Sequence, residues 1–216
     1  MQHPQALAAA AALDEPTRRR LYEYVVRRPE PVSRDDVAAA LGVPRATVAF
    51  HLDRLVDEQL LEVGHERRTG RTGPGAGRPA KLYRRSGRQV SFSLPERQYE
   101  LAGHLLAAAV EEAGETGGSP REILTARARA HGADLAAGGR DIVSTLEETG
   151  FEPRAEDGSV VLANCPFDAL ARAHRRLVCE MNLGLVEGML AGVGEKSLRA
   201  RPDPRPGTCC VRLAAD

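Results

Sequence analysis

The residues with the clearest capacity for chemistry in this chain of 216 residues are four cysteines, all in its last third. Cys165 and Cys179 flank His174 in "ANCPFDALARAHRRLVCEMN", and Cys209 and Cys210 are adjacent in "RPGTCC". In a reducing compartment, so few cysteines favour metal binding, redox chemistry or plain burial over a disulfide framework. Their spacing fits no specific motif, so these alternatives stay open.

The first two cysteines depend on a helix for their placement. The pattern of residues 166–190 predicts one long helix, with His174 near the centre of its apolar arc and Cys179 on another side. A histidine at such a position is typical of a core residue, and a role in a pocket or as a ligand is the alternative. Cys165 precedes this helix, where free backbone N–H groups favour a thiolate.

The last two cysteines follow Gly207 in a segment that we predict to be a strand. Because neighbouring residues of a strand face opposite ways, only one of Cys209 and Cys210 should reach a shared site, and we favour Cys209. Three thiolates with a fourth position left open suit a labile iron–sulfur cluster. Three thiolates with a histidine or carboxylate suit zinc, and the third alternative is burial without any metal.

The sequence offers little that indicates an enzyme. It contains no phosphate-binding glycine motif and no paired-histidine metalloenzyme motif, and no Ser/His/Asp set can be placed. His174 and Cys179 are five residues apart, which puts them ~140° apart on a helix, too far for a nucleophile and its base. We therefore expect no catalytic residues.

The charge distribution indicates two domains. The net charge of the whole chain is zero, but residues 1–90 hold 16 basic and 11 acidic residues, and residues 91–216 hold 14 and 19. The basic half is expected to face a polyanion. The alanine-rich N-terminus lacks a preceding Lys or Arg and is short for a signal peptide, and no apolar run would span a bilayer. We expect a cytoplasmic protein with no membrane partner.

The basic half has the pattern of a helix-turn-helix. Asp14 is expected to cap a first helix in "LDEPTRRRLYEYVVRR". A capping box of Ser33 and Asp36 begins a second helix, which Gly42 ends, and Pro44 begins a third. Two short helices joined by a glycine turn form a helix-turn-helix.

Two predicted strands and a basic loop follow these helices. "LLEVGHERR" and "AKLYRR" alternate like strands, and "RRTGRTGPGAGRP" between them is rich in Gly, Arg and Pro. Arginines on such an arm suit phosphate contacts and a narrow minor groove. The alternative is a helical pair that packs elsewhere, with the loop as a solvated linker. Helix order, turn glycine, hairpin and basic loop agree better with a winged helix.

Residues 10–88 resemble the winged-helix domain of ArsR-like bacterial transcriptional regulators, through "LDEPTRRRLYEYV" and "VAAALGVPRATVAFHLDRLVDEQLLEV". The resemblance implies that residues 44–59 are a recognition helix in the major groove, with Val48, Leu52 and Leu55 on its core side. His51 is interpreted as a packing or phosphate residue. The residues expected at the DNA are Arg45, Ala46, Thr47, Ala49, Phe50 and Arg54 of the helix and Arg67, Arg68, Arg71, Arg78 and Lys81 of the wing.

The remaining chain is predicted to hold a dimerisation helix and an α+β domain. A helix starting at Pro95 carries Leu101, Leu105 and Leu106 on an apolar face that a second copy would cover, so we expect a homodimer. Beyond it the pattern gives two helices, a hairpin turning at residues 157–158, the long helix and a last strand pair. The fold class is therefore α+β, with a winged helix-turn-helix DNA-binding domain at 1–90, a dimerisation helix and linker at 91–117, and an α+β sensor domain at 118–216.

Residues 150–213 resemble the C-terminal domain of the SufR-like branch of these regulators, through "NCPFDALARAHRRLVCEMN" and "PGTCCVRL". The resemblance implies an iron–sulfur cluster, such as a 4Fe–4S cluster, held by Cys165, Cys179 and one of Cys209 and Cys210 in a repressor of cluster-assembly genes. SufR proteins carry a more evenly spaced cysteine series, whereas here Cys179 and Cys209 are far apart and Cys210 doubles the last position.

Three hypotheses follow from the sequence. The first is a homodimeric regulator, a repressor of a double-stranded DNA operator, that senses iron–sulfur or redox status. The second keeps the DNA binding but gives the C-terminal domain a pocket for a small apolar effector, with the cysteines structural or zinc-binding and His174 in the lining. The third is a thiol or metal enzyme fused to a winged helix that contacts proteins.

Overall fold

The computed structural model describes residues 3–66, 80–91, 93–138 and 141–215. The chain divides into two compact units, residues 1–92 and 93–216. Both combine helices with one small antiparallel sheet. The predicted wing arginines lie outside the described residues: Arg67, Arg68, Arg71 and Arg78.

The first unit contains four helices among the residues described. They are α1 (His3–Ala12), α2 (Pro16–Val26), α3 (Arg34–Leu41) and α4 (Arg45–Asp57). The alanine run, for which we predicted no structure, forms α1, and its Ala9 is fully buried. Alanine has the highest helix propensity, and its small side chain lets α1 pack closely on the domain.

The helix ends follow the sequence pattern with one correction. Ser33 accepts a hydrogen bond from the Asp36 N–H (3.2 Å) and the Asp36 carboxylate accepts one from the Ser33 N–H (2.9 Å), so the capping box is confirmed. Gly42 ends α3 in the left-handed region, at φ 64°. The start of α2 is capped by Glu15 and not by Asp14, because the Glu15 carboxylate accepts from the N–H groups of Thr17 and Arg18.

A three-stranded sheet completes the first unit. Its strands are β1 (Val32–Ser33), β2 (Leu61–Glu66) and β3 (Ala80–Arg85), in the order β1-β3-β2, and both pairs are antiparallel. The predicted hairpin of β2 and β3 is confirmed, whereas β1 is too short to be recognised by alternation. The core joins the helices to the sheet through buried side chains that include Leu21, Val25, Val37, Val48, Leu52, Leu55 and Tyr83.

The second unit contains five helices and four strands among the residues described. The helices are α5 (Tyr99–Thr116), α6 (Pro120–Ala136), α7 (Ile142–Glu148), α8 (Asp168–Ala173) and α9 (Arg175–Gly192). The strands are β4 (Pro153–Glu156), β5 (Ser159–Leu162), β6 (Leu198–Pro202) and β7 (Val211–Ala215), in the antiparallel order β4-β5-β7-β6. The predicted β4–β5 turn at Asp157 and Gly158 is confirmed, and both residues have positive φ.

Close packing of α6 against α9 forms the centre of this unit. A Cβ atom at Gly188 would overlap the Arg129 carbonyl oxygen, and one at Gly132 would overlap the Leu185 carbonyl oxygen. Only glycine therefore permits this approach of the two backbones. The signal was present in "GLVEGMLAG", where Gly184, Gly188 and Gly192 recur every four residues on one face.

The predicted long helix at residues 166–190 is wrong, because the chain leaves helical geometry at His174. That residue has φ −131° and ψ 49° and separates α8 from α9. A helical wheel that treats residues 166–190 as one helix therefore assigns the residues on one side of His174 to the wrong face. His174 is exposed and is not the core residue that the wheel predicted.

The predicted dimerisation segment at 91–117 is also not a lone helix. It contributes α5, which begins at Tyr99 rather than Pro95 and packs on α6 within the second unit. Leu105 is buried in the core of that unit, and Leu101 and Leu106 are partly buried against it. Among the large apolar side chains of α5, Val110 is the most exposed.

Candidate functional site

Helix α4, which we predicted to be the recognition helix, has two distinct sides. Val48, Leu52 and Leu55 are fully buried, which confirms the predicted core side. On the other side Arg45, Ala46, Phe50 and Arg54 are exposed, and Thr47 and Ala49 are half-buried. Phe50 is 68% exposed. A large aromatic ring left in water on a helix-turn-helix surface is typical of a contact surface.

Two cations of this surface are held by acidic neighbours. Arg45 Nε lies 2.5 Å from Asp35 Oδ1, and Arg54 Nη2 lies 2.5 Å from Glu58 Oε1. Both arginine side chains are more than half exposed. Exposed ion pairs contribute about 0–1 kcal/mol, so either arginine can exchange its carboxylate for a phosphate or a base edge at little cost.

Lys81 takes part in a contact between α4 and the sheet. Lys81 Nζ and the Tyr83 hydroxyl both donate to Asp53 Oδ1 at 2.8 Å. Desolvation alone would raise the pKa of Asp53, but these two hydrogen bonds hold it below its ordinary value. Burial, and then the bond to Asp53, raise the pKa of Tyr83 to about 12. Asp53 therefore fixes α4 to β3, the strand after the predicted wing.

His51 belongs to the packing of α4 and not to its outer surface. The side chain is buried, and its ring meets that of Phe50 edge-on with centroids 5.2 Å apart. Nδ1 lies 3.6 Å from Glu15 Oε2 and has no hydrogen-bond partner among the described residues. The position therefore supports the packing interpretation over the phosphate one.

The second unit brings the four cysteines together. Cys165 follows β5, Cys179 lies in α9, and Cys209 and Cys210 directly precede β7. The thiols of Cys165 and Cys209, of Cys209 and Cys210, and of Cys210 and Cys179 are close enough to shift one another's pKa. Cys209 and Cys210 lie in the loop before β7 and not in the predicted strand, so strand alternation does not apply to them, and the choice between them as a ligand stays a prediction.

The thiols fall into two classes. The neighbouring thiol of Cys209 lowers the pKa of Cys165 and lowers that of Cys210 to about 6. Burial raises the pKa of Cys179 to about 12, and its bond to Cys210 adds to the shift. The bonds to its two neighbours and its burial raise the pKa of Cys209. Cys165 and Cys210, whose pKa values are lowered, are therefore the thiols that form a thiolate more readily.

A buried amide completes this group. Asn182, in α9, is fully buried, and its Nδ2 donates to Cys209 Sγ at 3.0 Å. Its Oδ1 has no hydrogen-bond partner among the described residues. We did not single out Asn182 from the sequence, although its place three residues after Cys179 puts both on one side of a helix.

A cavity of about 610 Å³ opens beside the thiols. Cys165, Cys179 and Cys210 line it together with several arginines. Arg172 pairs with Asp168 and Arg205 with Asp203, at 2.6 and 2.9 Å. Arg175, one helical turn before Cys179, has no acidic partner within the part of the chain that is described. The predicted pocket residue His174 does not line this cavity.

The donor chemistry and the arrangement of the sulfurs point in different directions for a metal. Four thiols, two with lowered pKa values, and an amide donor at one sulfur are the chemistry of a soft metal centre. However, no group of three or more His, Cys, Asp or Glu side chains in the described ranges is arranged to hold a metal ion.

A second, mostly apolar cavity of about 380 Å³ is also lined by Cys179 and Cys210. Leu183, Pro202 and Pro204 are among its lining residues. The two cavities share Cys179 and Cys210, so a molecule in either one would contact the same thiols.

Comparison with known proteins gives one match. A family model described as a helix-turn-helix domain matches residues 13–64, which run from just before α2 into β2. The match supports a winged-helix regulator family, of which ArsR-like proteins are typical, and thus a DNA-binding transcription regulator. No curated protein and no solved structure shows a significant match to the chain. Within the described ranges, no helix is long and apolar enough to cross a membrane.

Proposed function

We propose that the chain is a transcription repressor that binds duplex DNA as a homodimer and senses iron–sulfur or redox status through its cysteine site. The observation that carries the DNA-binding part is the family match at residues 13–64, on a helix whose outer side is left exposed. The sensing part rests on the four thiols in contact beside a cavity.

Recognition follows from the side chains that α4 exposes. Arg45 can donate two hydrogen bonds to a guanine edge, and Thr47 can reach a phosphate. Phe50 and Ala49 can contact a thymine methyl group. The wing arginines predicted from the sequence would add phosphate contacts that do not depend on base sequence.

Pairing of two copies would match a two-fold operator. The support is the side of α5 that carries Val110, which is 65% exposed. Tyr99 lies on the same helix and is also exposed. A second copy is therefore proposed to cover Val110 and its neighbours rather than Leu105, which the core of the second unit already buries.

Cys165, Cys179 and one or both of Cys209 and Cys210 are the proposed ligands of an iron–sulfur cluster. When bound, such a cluster would supply a centre whose loss reports iron and oxidant status. Asn182 donates to a ligand sulfur, which tunes its basicity. The positive charge of Arg175 offsets the negative charge that thiolates gather. Without metal, the same thiols in contact can respond to oxidants directly.

A small apolar effector is the alternative, and the 380 Å³ cavity next to Cys179 supports it. In that case the cysteines form part of the lining. Filling the cavity by Leu183→Trp would then abolish the response to effector while leaving the metal content unchanged.

The experiment has two measurements on the full chain purified without oxygen. Selection from a random duplex library should yield a preferred DNA sequence. The logarithm of its binding constant should fall linearly with the logarithm of the salt concentration. Iron and sulfide analysis should find both elements in the wild type and neither in Cys165→Ser or Cys179→Ser. The matched control His174→Ala should keep them, because His174 is exposed. Failure to select any duplex would overturn the DNA-binding part, and wild-type protein without iron would overturn the cluster.

A further inference from the structure

The start of α5 is hydrogen-bonded to the loop that carries Cys165. Arg97 Nη1 donates to the Cys165 carbonyl oxygen at 2.8 Å and also to Asn164 Oδ1. One guanidinium group therefore holds the backbone of a cysteine of the site and the side chain of the residue before it. Bonds of this kind, with a charged donor, are among the stronger hydrogen bonds in proteins.

Further hydrogen bonds join the same two segments. The Gln98 N–H donates to the Pro166 carbonyl oxygen at 3.0 Å, and the Ala169 N–H donates to the Tyr99 hydroxyl at 3.3 Å. Asn164, which is buried, returns a bond from Nδ2 to the Glu96 carbonyl oxygen at 3.2 Å. Residues 96–99 and 164–169 thus form one hydrogen-bonded body.

The first of these two segments lies close to the boundary between the two units. The second unit begins at residue 93, so residues 96–99 are its first anchored residues after the helix-turn-helix unit. They lead directly into α5, the helix with the exposed Val110. These hydrogen bonds connect the Cys165 backbone to the segment that enters the second unit and to the start of α5.

We propose that Arg97 is the positioning residue that couples the state of the cysteine site to DNA binding. The inference rests on the proposed function. The hydrogen bonds of Arg97 do not involve a thiol or any residue that is predicted to contact DNA. Arg97 acts through the backbone of Cys165. Its guanidinium follows the carbonyl of Cys165 when the sulfur gains or loses a partner, and the start of α5 follows Arg97.

A double-mutant cycle tests the coupling. Dissociation constants for the selected duplex would be measured without oxygen for the wild type, Cys165→Ser, Arg97→Gln and the double variant. Allosteric couplings are typically about 5–150-fold, so Cys165→Ser should change the wild-type constant by at least about fivefold. In the Arg97→Gln background, Cys165→Ser should change the dissociation constant by less than about twofold.

Each outcome has one meaning. An equal effect of Cys165→Ser in both backgrounds would overturn the role of Arg97 alone. No effect in the wild-type background would overturn the proposed control by the cysteines, and the inference with it. Circular dichroism would check folding. If Arg97→Gln does not fold, Arg97→Lys takes its place, and full retention of the wild-type ratio by this variant counts against the inference, because an ammonium cannot hold both acceptors as the guanidinium does.

The matched control is Arg154→Gln. Arg154 lies in the same unit, its side chain is 70% exposed, and its ion pair is with Glu152 and not with a residue of the Cys165 loop. In the Arg154→Gln background, Cys165→Ser should change the dissociation constant by the same factor as it does in the wild type.

Discussion

The guanidinium of Arg45, which is proposed to contact DNA, forms an ion pair with Asp35 in the free protein. Arg45→Ala should weaken binding to the selected duplex by about 1–3 kcal/mol and relax the base preference at one position. Asp35→Asn should instead strengthen binding to every duplex, since it frees Arg45 and removes a repelling charge. Fluorescence anisotropy with cognate and scrambled duplexes measures both. Arg27→Ala, which removes another exposed ion pair of the same unit, is the control.

Asp53 gives the first unit a dependence on pH. Hydrogen bonds from Lys81 and Tyr83 lower its pKa in the folded state. A lowered carboxyl pKa contributes stability above the unfolded value of about 3.9, and that stability is lost as pH falls through the folded value. Asp53 is partly exposed, so the contribution should be on the order of 1 kcal/mol or less. Thermal unfolding from pH 7 to pH 3 should show a smaller loss for Asp53→Asn than for the wild type. An equal loss in both proteins would contradict this role.

At the scale of elements, the contact of α6 with α9 should tolerate no side chain at Gly188. Gly188→Ala places a Cβ against the Arg129 carbonyl, so it should destabilise the second unit by about 1–3 kcal/mol or more. Gly103→Ala, in the exposed middle of α5 with open space around it, should stabilise by about 0.5–1 kcal/mol. Urea unfolding of both variants checks this. Two variants of equal stability would mean that the helices separate easily.

The exposed side of α5 makes a prediction about assembly. Val110→Glu should produce monomers at micromolar concentration and weaken operator binding, because a charge would be buried at the proposed contact. Val143→Glu changes an apolar residue of α7 that is 41% exposed, and it should leave assembly unchanged. Sedimentation velocity distinguishes the two. A wild-type protein that sediments as a monomer at micromolar concentration would contradict the proposed homodimer.

Elements with strong local signals could be predicted from the sequence. The capping box at Ser33, the turn at Gly42 and the hairpin turn at residues 157–158 depend on residues close in the chain, and all three are confirmed. The break at His174 could not be predicted, because the apolar pattern continues through it and no proline or glycine marks it. The two-residue strand β1 forms only because β3 pairs with it.

At the scale of the whole molecule, the charge asymmetry predicted two domains, and the chain does divide near residue 92. The cysteines that form the site could also be predicted from the sequence, but the contacts among them could not. Contact among Cys165, Cys179, Cys209 and Cys210 depends on how the loop before β7 packs on α9. Asn182 and Arg97 join the site through tertiary contacts, which no local pattern encodes.

The central claim is that the cysteine site controls DNA affinity, and one quantity tests it most directly. That quantity is the dissociation constant of the wild-type chain for the selected duplex, measured on one preparation before and after oxidation of its thiols with diamide. The two constants should differ by at least about fivefold, and the difference should disappear in Cys165→Ser. Equal constants before and after oxidation, with thiol titration showing that the cysteines had reacted, would contradict the claim.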